Sequence, residues 1–430
     1  MRETRVAQIS IFEKYSLHEF GVQLKQLSKI LDGYPEILDL IEHDLIDSSC
    51  KNVGCNGLSV ETVFRCLLLK QQLRCSYELL AFHLSDSLTY RAFTRLPDEI
   101  SPSRSGLQSV IRKITPKTLE AVPQILAVHL FNDGTISLDK IRIDSTVVKS
   151  NITPPSDSQL LNDSVRVLSR LLVKSQYFTG PKIRFTDKRK ASKSLAFQIF
   201  NAKNAKKEVL YLDLLNLTRV VLRQVELALL KIKEACEPTE KMLNWQSKVK
   251  HYRELLLKVV DQTERRVINK EKVHSSEKIV SIFEEHTDII VKGYRETLYG
   301  HKINLASDGR GFITSLALEK GNPGDVERFM SIIRDHKTLF KKLPHSVACD
   351  DGYASQDNVT QGRTLGIKRV VFHKRVEISY QVMGVKEKTF KMLRNFRAGI
   401  EGNISELKRA FGAGRAEWKG EDGFKAFAWS

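Results

Sequence analysis

One interruption constrains the fold of this chain more than any other feature of it. The segment LDKIRIDSTVVKS, residues 138–150, alternates β-branched and polar residues as a strand does, with Ile141, Ile143 and Ser145 facing one way and Arg142, Asp144 and Thr146 the other. Strand character then disappears for well over a hundred residues and returns only at YGHKINLASD, residues 299–308. Any sheet in this protein must therefore be assembled from strands that lie on either side of a long helical block.

Two helical patterns fill much of that block. The first places Leu210, Leu214, Leu217, Val221, Val225 and Ala228 on one face, and the second Val249, Tyr252, Leu256 and Val259. A break at Glu237–Glu240, with Pro238 inside it, favours an antiparallel helical hairpin. Upstream, residues 1–57 mix a helical opening with the turn-rich SSCKNVGCNG, and 58–135 read as short helices. ETVFRCLLLKQQL carries Val63, Leu67 and Lys70 in helical register, SYELLAFHLSD repeats the pattern, and SPSRSGLQSVIRKITPKTLEAV starts twice from Ser or Thr. Short basic helices of this kind suit a helix-turn-helix unit and an ordinary helical domain about equally.

Downstream the texture is mixed. YGHKINLASD and GFITSLALEKG straddle Gly309–Arg310 as a hairpin, and GDVERFMSIIRDHKTLF is helical. HSVACDDGY is a strand ending in a turn, KRVVFH a short strand, and KTFKMLRNFRAGIEGNISELKRAF a closing helix in which Gly399 and Gly402 are weak points. The expected architecture is α/β with a mixed sheet, interrupted by an all-helical block and preceded by a helical N-terminal domain.

Charge narrows the partners. There are 69 Lys and Arg against 51 Asp and Glu, a formal charge of +18, so a polyanion is the natural partner and nucleic acid the first choice. No stretch approaches the roughly 20 apolar residues of a membrane span, and the N-terminus lacks a signal-peptide core, which predicts a cytoplasmic protein without a membrane partner. Six cysteines suit a reducing compartment; Cys50 and Cys55 form C-x4-C, but no second Cys or His pair lies near, so free thiols are expected.

Three acids stand where a catalytic carboxylate is expected. Asp144 sits mid-strand, where it can simply face solvent, whereas buried there its carboxylate needs a partner or a metal. Asp350 closes the apolar run Val347-Ala348-Cys349, with Asp351 as its competitor. Glu401 shares a helix face with Arg394, Arg397 and Lys408, which fits either a solvated ion pair or a metal ligand beside phosphate-binding cations; Glu406 lies well around the helix. Two strand carboxylates and one helix carboxylate on a basic chain make a site for paired hard cations that promote in-line displacement at phosphorus. No Gly-rich phosphate loop or Cys/His cluster offers a rival chemistry.

The ordered set IRIDSTVV, ACDDGY and FRAGIEGNISELKR resembles the DDE transposases of bacterial insertion sequences. Arg397, Glu401 and Lys408 match that family's R-x3-E-x6-K signature, with Arg394 where a Tyr usually opens it. YGHKINLAS and LEKGNPGDVE look like its central hairpin, HTDIIVKG with His286 and Asp288 is also similar, and the helices within 58–135 resemble its DNA-binding region. The resemblance implies a ribonuclease H-like catalytic domain from 136–152 and 286–430, a helical insertion at 153–285, and two Mg²⁺ or Mn²⁺ ions on Asp144, Asp350 and Glu401. It implies that water cuts a phosphodiester at each element end, that the freed 3′-hydroxyl attacks target DNA, and that Lys408, Arg397 and Arg394 grip phosphates. It further implies double-stranded DNA as partner, a homodimer on DNA, and residence with the bacterial nucleoid. His286 and Asp288 are read as structural or accessory. The chain stops at GFKAFAWS, where similar proteins usually continue, so a truncated, DNA-binding form is the alternative, and a related nuclease of the same fold is another.

Overall fold

The computed structural model describes residues 3–5, 15–46, 57–178, 183–233, 239–292, 296–373 and 378–430. Cys50, Cys55 and Cys236, and Glu237 and Pro238 of the expected break, lie outside the described residues. The chain divides into two compact units, Met1–Ser150 with Gly300–Ser430, and Asn151–Tyr299.

The first unit opens with helices α1 (Glu19–Gly33), α2 (Glu36–Leu45), α3 (Val60–Leu73), α4 (Tyr77–Asp86), α5 (Leu88–Thr94), α6 (Arg104–Ile111) and α7 (Pro116–Asn132). Their starts follow from local chemistry. Ser59, Ser76, Ser87, Ser103 and Thr115 each accept a backbone N–H from the residue three positions on, and Pro116 follows its cap at the first helical position. Strand β1 (Lys140–Lys149) then leads into the second unit, made of α8 (Asp157–Ser175), α9 (Arg189–Asn201), α10 (Asn204–Lys233), α11 (Glu240–Thr263) and β2 (Asp288–Lys292). The two apolar patterns read from sequence are α10 and α11, which pack together; α8 and α9 were not anticipated. Leu214, Val221, Val225 and Ala228 of α10 and Val249, Leu256 and Val259 of α11 are buried in the core of this unit with Leu161, Val165 and Leu168 of α8.

Strand β3 (Glu296–Ser307) returns to the first unit and is followed by β4 (Ile313–Leu318), α12 (Asp325–Phe340), β5 (Ser346–Cys349), α13 (Gln356–Thr364), β6 (Arg369–Phe372), α14 (Glu387–Arg409) and α15 (Glu421–Trp429). The sheet is mixed, in the order β2-β3-β1-β5-β6 with β4 also on β3. β1 runs antiparallel to β3 and parallel to β5, and β5 runs parallel to β6. At the β3–β4 turn Asp308 accepts the backbone N–H groups of Arg310 and Phe312, both at 2.9 Å, and Gly311 supplies the positive φ of 95°.

One apolar core joins Ile141, Ile143, Val347, Val370 and Phe372 of the sheet to Phe329 and Ile333 of α12 and Leu393 of α14. A second joins Val148, Ile303 and Leu305 to Ile400 of α14 and Phe424 and Phe427 of α15. A third, in the N-terminal helices, also takes in Ala426 of α15. Cys66, Cys75 and Cys349 are buried free thiols, and burial pushes Cys66 up to about 12, so it stays protonated. Among the described residues no helix is long and apolar enough to cross a membrane.

His336 on α12 is fully enclosed, hydrogen-bonded to the Ile332 carbonyl and to Thr314 Oγ1, both at 2.9 Å. Burial disfavours its charged form and lowers its pKa from 6.5 to about 4. The unfolded chain takes up a proton at this residue below 6.5 that the folded chain refuses until about 4, so the contribution is complete above pH 6.5 and is lost as pH falls through that window. We expect stability from urea unfolding to drop over that range by on the order of 2–3 kcal/mol more in the wild type than in His336→Gln. Parallel pH profiles for the two proteins would remove His336 as the cause.

Candidate active site

The parallel pairing of β1 and β5 sets the site. Ile143 is the register partner of Cys349, so the next residues along the two strands, Asp144 and Asp350, lie side by side. The Ser145 backbone N–H donates to Asp144 Oδ1 at 2.7 Å. Asp350 caps the single 3₁₀ turn Asp351–Tyr353, and its carbonyl accepts the Tyr353 N–H at 3.3 Å. Asp350 is half-buried whereas its competitor Asp351 is exposed.

Helix α14 packs against β1, β5 and β6, burying Leu393, Arg397 and Ile400 on one face. Arg142 of β1 ties the helix down: its Nε donates to Ser307 Oγ at 2.8 Å, and its two terminal nitrogens to the Phe396 carbonyl at 3.2 Å and Asn403 Oδ1 at 3.0 Å. Gly399 permits this approach, because a Cβ there would stand 1.7 Å from an Arg142 nitrogen. The glycine that weakens the helix in isolation is what lets a strand arginine reach across it.

The clamp brings Arg397 and Glu401 to the strand carboxylates. One terminal nitrogen of Arg397 lies 3.3 Å from Asp144 Oδ2 and 3.2 Å from Asp350 Oδ1, and the other donates to Glu401 Oε1 at 2.8 Å. The three acids singled out from sequence thus meet on one guanidinium. They differ in exposure, the side chains being 16%, 38% and 66% accessible for Asp144, Asp350 and Glu401 against 10% for Arg397. Glu401 is therefore the outermost member, with room to move. Arg394 is exposed and Lys408 half-buried on the same helix, and Glu406 is exposed. Among the described residues no three His, Cys, Asp or Glu side chains are closed into a group that could hold a metal ion.

A polar layer behind these groups escaped sequence reading. Asp325, in the first turn of α12, takes Lys302 Nζ at 3.2 Å and Ser145 Oγ at 3.3 Å, and Gly352 packs directly on its carboxylate. Tyr353 hydroxyl donates to Asn304 Oδ1, and Asn304 Nδ2 donates to Glu319 at 2.7 Å. These bonds brace the residue after Asp144 and the turn after Asp350. Only GNPGDVE, an acid opening a helix after Gly and Pro, hinted at any of this. Cys349 takes no part as a nucleophile: burial first, then the charges of Asp144 and Asp350, hold its thiol well above its ordinary range. His286 and Asp288 belong to the second unit, where His286 Nε2 meets Glu284 at 2.9 Å.

The C-terminal third of the chain, residues 285–430, matches the family described as Transposase DDE domain. Over these residues the chain is similar to transposase DDE domains. The match contains Asp350, Arg397, Glu401 and Lys408, whereas Asp144 enters the site from β1, outside it. No curated protein and no solved structure matches the chain. The domain associates the protein with DNA and with transposase function in general, and domains of this kind use divalent metal ions.

Replacing Gly399 by Ala should force Arg142 out of three hydrogen bonds and lift α14, at a cost of about 1–3 kcal/mol as for other overpacked sites. Thermal unfolding that matches wild type would show that Arg142 is not the clamp.

Proposed function

We propose that the protein is a DNA transposase that cuts at the ends of a mobile element and joins the freed 3′ ends to target DNA, with Asp144, Asp350 and Glu401 as its catalytic carboxylates. The observation that carries this reading is the convergence of the three acids, from two strands and a helix, on the Arg397 guanidinium beside a transposase DDE match. A mixed sheet with β1 between an antiparallel and a parallel neighbour supports a ribonuclease H-like core, formed by 136–152 and 286–430, with 153–285 as a helical insertion.

The donor set fits hard divalent cations in kind, since all three groups are carboxylates and the outermost, Glu401, is free of packing that would fix it. Two Mg²⁺ ions, with Mn²⁺ as substitute, would supply activation of the attacking oxygen and stabilisation of the leaving one. The chain's own residues do the rest. Asp144 and Asp350 are held by strand backbone and by the braced turn, so their carboxylates are oriented before substrate arrives. Lys408, Arg394 and Arg397 line one side of α14 and would meet phosphate oxygens of duplex DNA. Residues 58–135 are read as the domain that docks on DNA, the net charge of +18 favours that polyanion, and a homodimer on DNA would pair two element ends. A bacterial protein of this kind would work at the nucleoid.

Asp144→Asn, Asp350→Asn and Glu401→Gln should each abolish Mg²⁺-dependent cleavage of DNA carrying the element ends while leaving binding to the same DNA within about twofold. Near-normal cleavage by any one of them removes that residue from the site. Strand-transfer assays on the wild type separate the transposase from a plain nuclease, which would cut and never join. Lys408→Ala should weaken DNA binding and reduce its salt dependence by roughly one unit of slope. An unchanged slope would speak against a phosphate contact there.

A further inference from the structure

Buried arginines in the first unit are of two kinds. Arg65, Arg91 and Arg142 each give at least one N–H to a backbone carbonyl, at Phe93, Leu84 and Phe396, with distances of 3.1, 2.9 and 3.2 Å. Such bonds do not depend on the charge of a neighbour and anchor the side chain permanently. Arg397 is different. Among the described residues its hydrogen bonds go to Asp144 and Glu401, its further ion pair to Asp350, and its buried Nε meets no partner. Among the described residues the polar contacts of the guanidinium are all to carboxylates, the groups that a divalent cation would also seek.

We propose that Arg397 is the resident cation of this site and that it and a divalent metal ion exclude one another. The inference rests on the carboxylate reading above and adds a regulatory element to it. Without metal, three carboxylates gathered from β1, β5 and α14 would repel, and the guanidinium neutralises part of that charge and keeps the site assembled. A cation taking up those oxygens removes every bond that holds the arginine. Arg397 then turns outward along the face of α14 that carries Arg394 and Lys408, where a DNA phosphate can receive it. A phosphate that draws the guanidinium away would, by the reciprocity of linked equilibria, strengthen metal binding.

The test is Mn²⁺ binding to the full chain without DNA, by isothermal titration calorimetry, with thermal unfolding measured in parallel. Arg397→Gln should bind Mn²⁺ about tenfold more tightly or better than wild type, because one unit charge a few ångströms from a divalent ion exceeds what a tenfold change requires. The same variant should unfold at a lower temperature without Mn²⁺ and recover more of the difference with it. Arg397→Lys, which keeps the charge on a single nitrogen unable to bridge three carboxylates, should fall between the two and stands in if Arg397→Gln does not fold. With duplex DNA present, and after correction for Mn²⁺ bound by DNA alone, wild-type affinity for Mn²⁺ should rise several-fold and that of Arg397→Gln should not. Equal or weaker Mn²⁺ binding by the variants overturns the exclusion. Adding Asp144→Asn locates the ion: if it lowers Mn²⁺ affinity, only the role of Arg397 has failed, and if it has no effect, or no protein binds Mn²⁺, the metal reading of the carboxylates fails with it.

Discussion

Three carboxylates gathered in one place repel one another, and a cation set among them relieves that repulsion, most of all for the one least exposed to water. Much of the first unit can be understood from that constraint. The strands deliver two acids side by side, the helix delivers a third, and the positive charge that makes this tolerable sits on the helix one turn before its own acid. The Arg397 guanidinium reaches Asp144, Asp350 and Glu401 at 3.3, 3.2 and 2.8 Å. A second arginine, Arg142, holds the helix where the first can do so, and Gly399 leaves space for it. Residues that would count as isolated surface charges in a sequence form one connected assembly in three dimensions.

The long helical block is compatible with this assembly because of where it leaves and rejoins the sheet. Lys149 at the end of β1 is the register partner of Gly300 in β3, and the second unit runs from Asn151 to Tyr299. The chain departs and returns at neighbouring points of one antiparallel pair, so the block closes a loop whose ends are already held together. Loop closure cost rises only slowly with length, and a block that buries its own Leu161, Leu214, Val221 and Leu256 brings its own stability.

How much of this was legible in the sequence depended on range. Helix starts were readable because Ser103 and Thr115 cap through their own side chains, and α10 and α11 because their apolar residues repeat every three or four positions. The mixed sheet followed from the order of strand-like segments. α8 and α9 were missed, although Leu161, Val165, Leu168 and Leu172 of α8 are as regular as the pattern of α10. At the candidate site, Asp144, Asp350 and Glu401 stood out by local context, but the roles of Arg142 and Asp325 did not. Arg142 reaches Ser307 and Asn403, and Asp325 reaches Ser145, each of these partners more than 150 residues away along the chain. Periodicity and composition carry no record of such pairings. Arg397 was read with the phosphate-binding residues because its spacing to Glu401 says only that they share a face. That its guanidinium also touches two strand acids is a property of the packed structure.

The position of Asp144 is the most exacting part of the arrangement. It lies outside the segment that matches the transposase DDE domain, so its place among the acids depends on strand register. The parallel pairs Ile141–Val347 and Ile143–Cys349 turn two apolar residues into the core and leave Asp144 beside Asp350. A slip of one residue would exchange the faces, burying Asp144 in the apolar layer and presenting Ile143 or Ser145 in its stead. Two buried isoleucines oppose that slip on one strand and Val347 and Cys349 oppose it on the other. Core packing that is indifferent to chemistry thereby fixes the acid on which the chemistry would turn, which is why an apolar segment as short as Ser346–Cys349 is sufficient to align a residue more than 200 positions earlier in the chain.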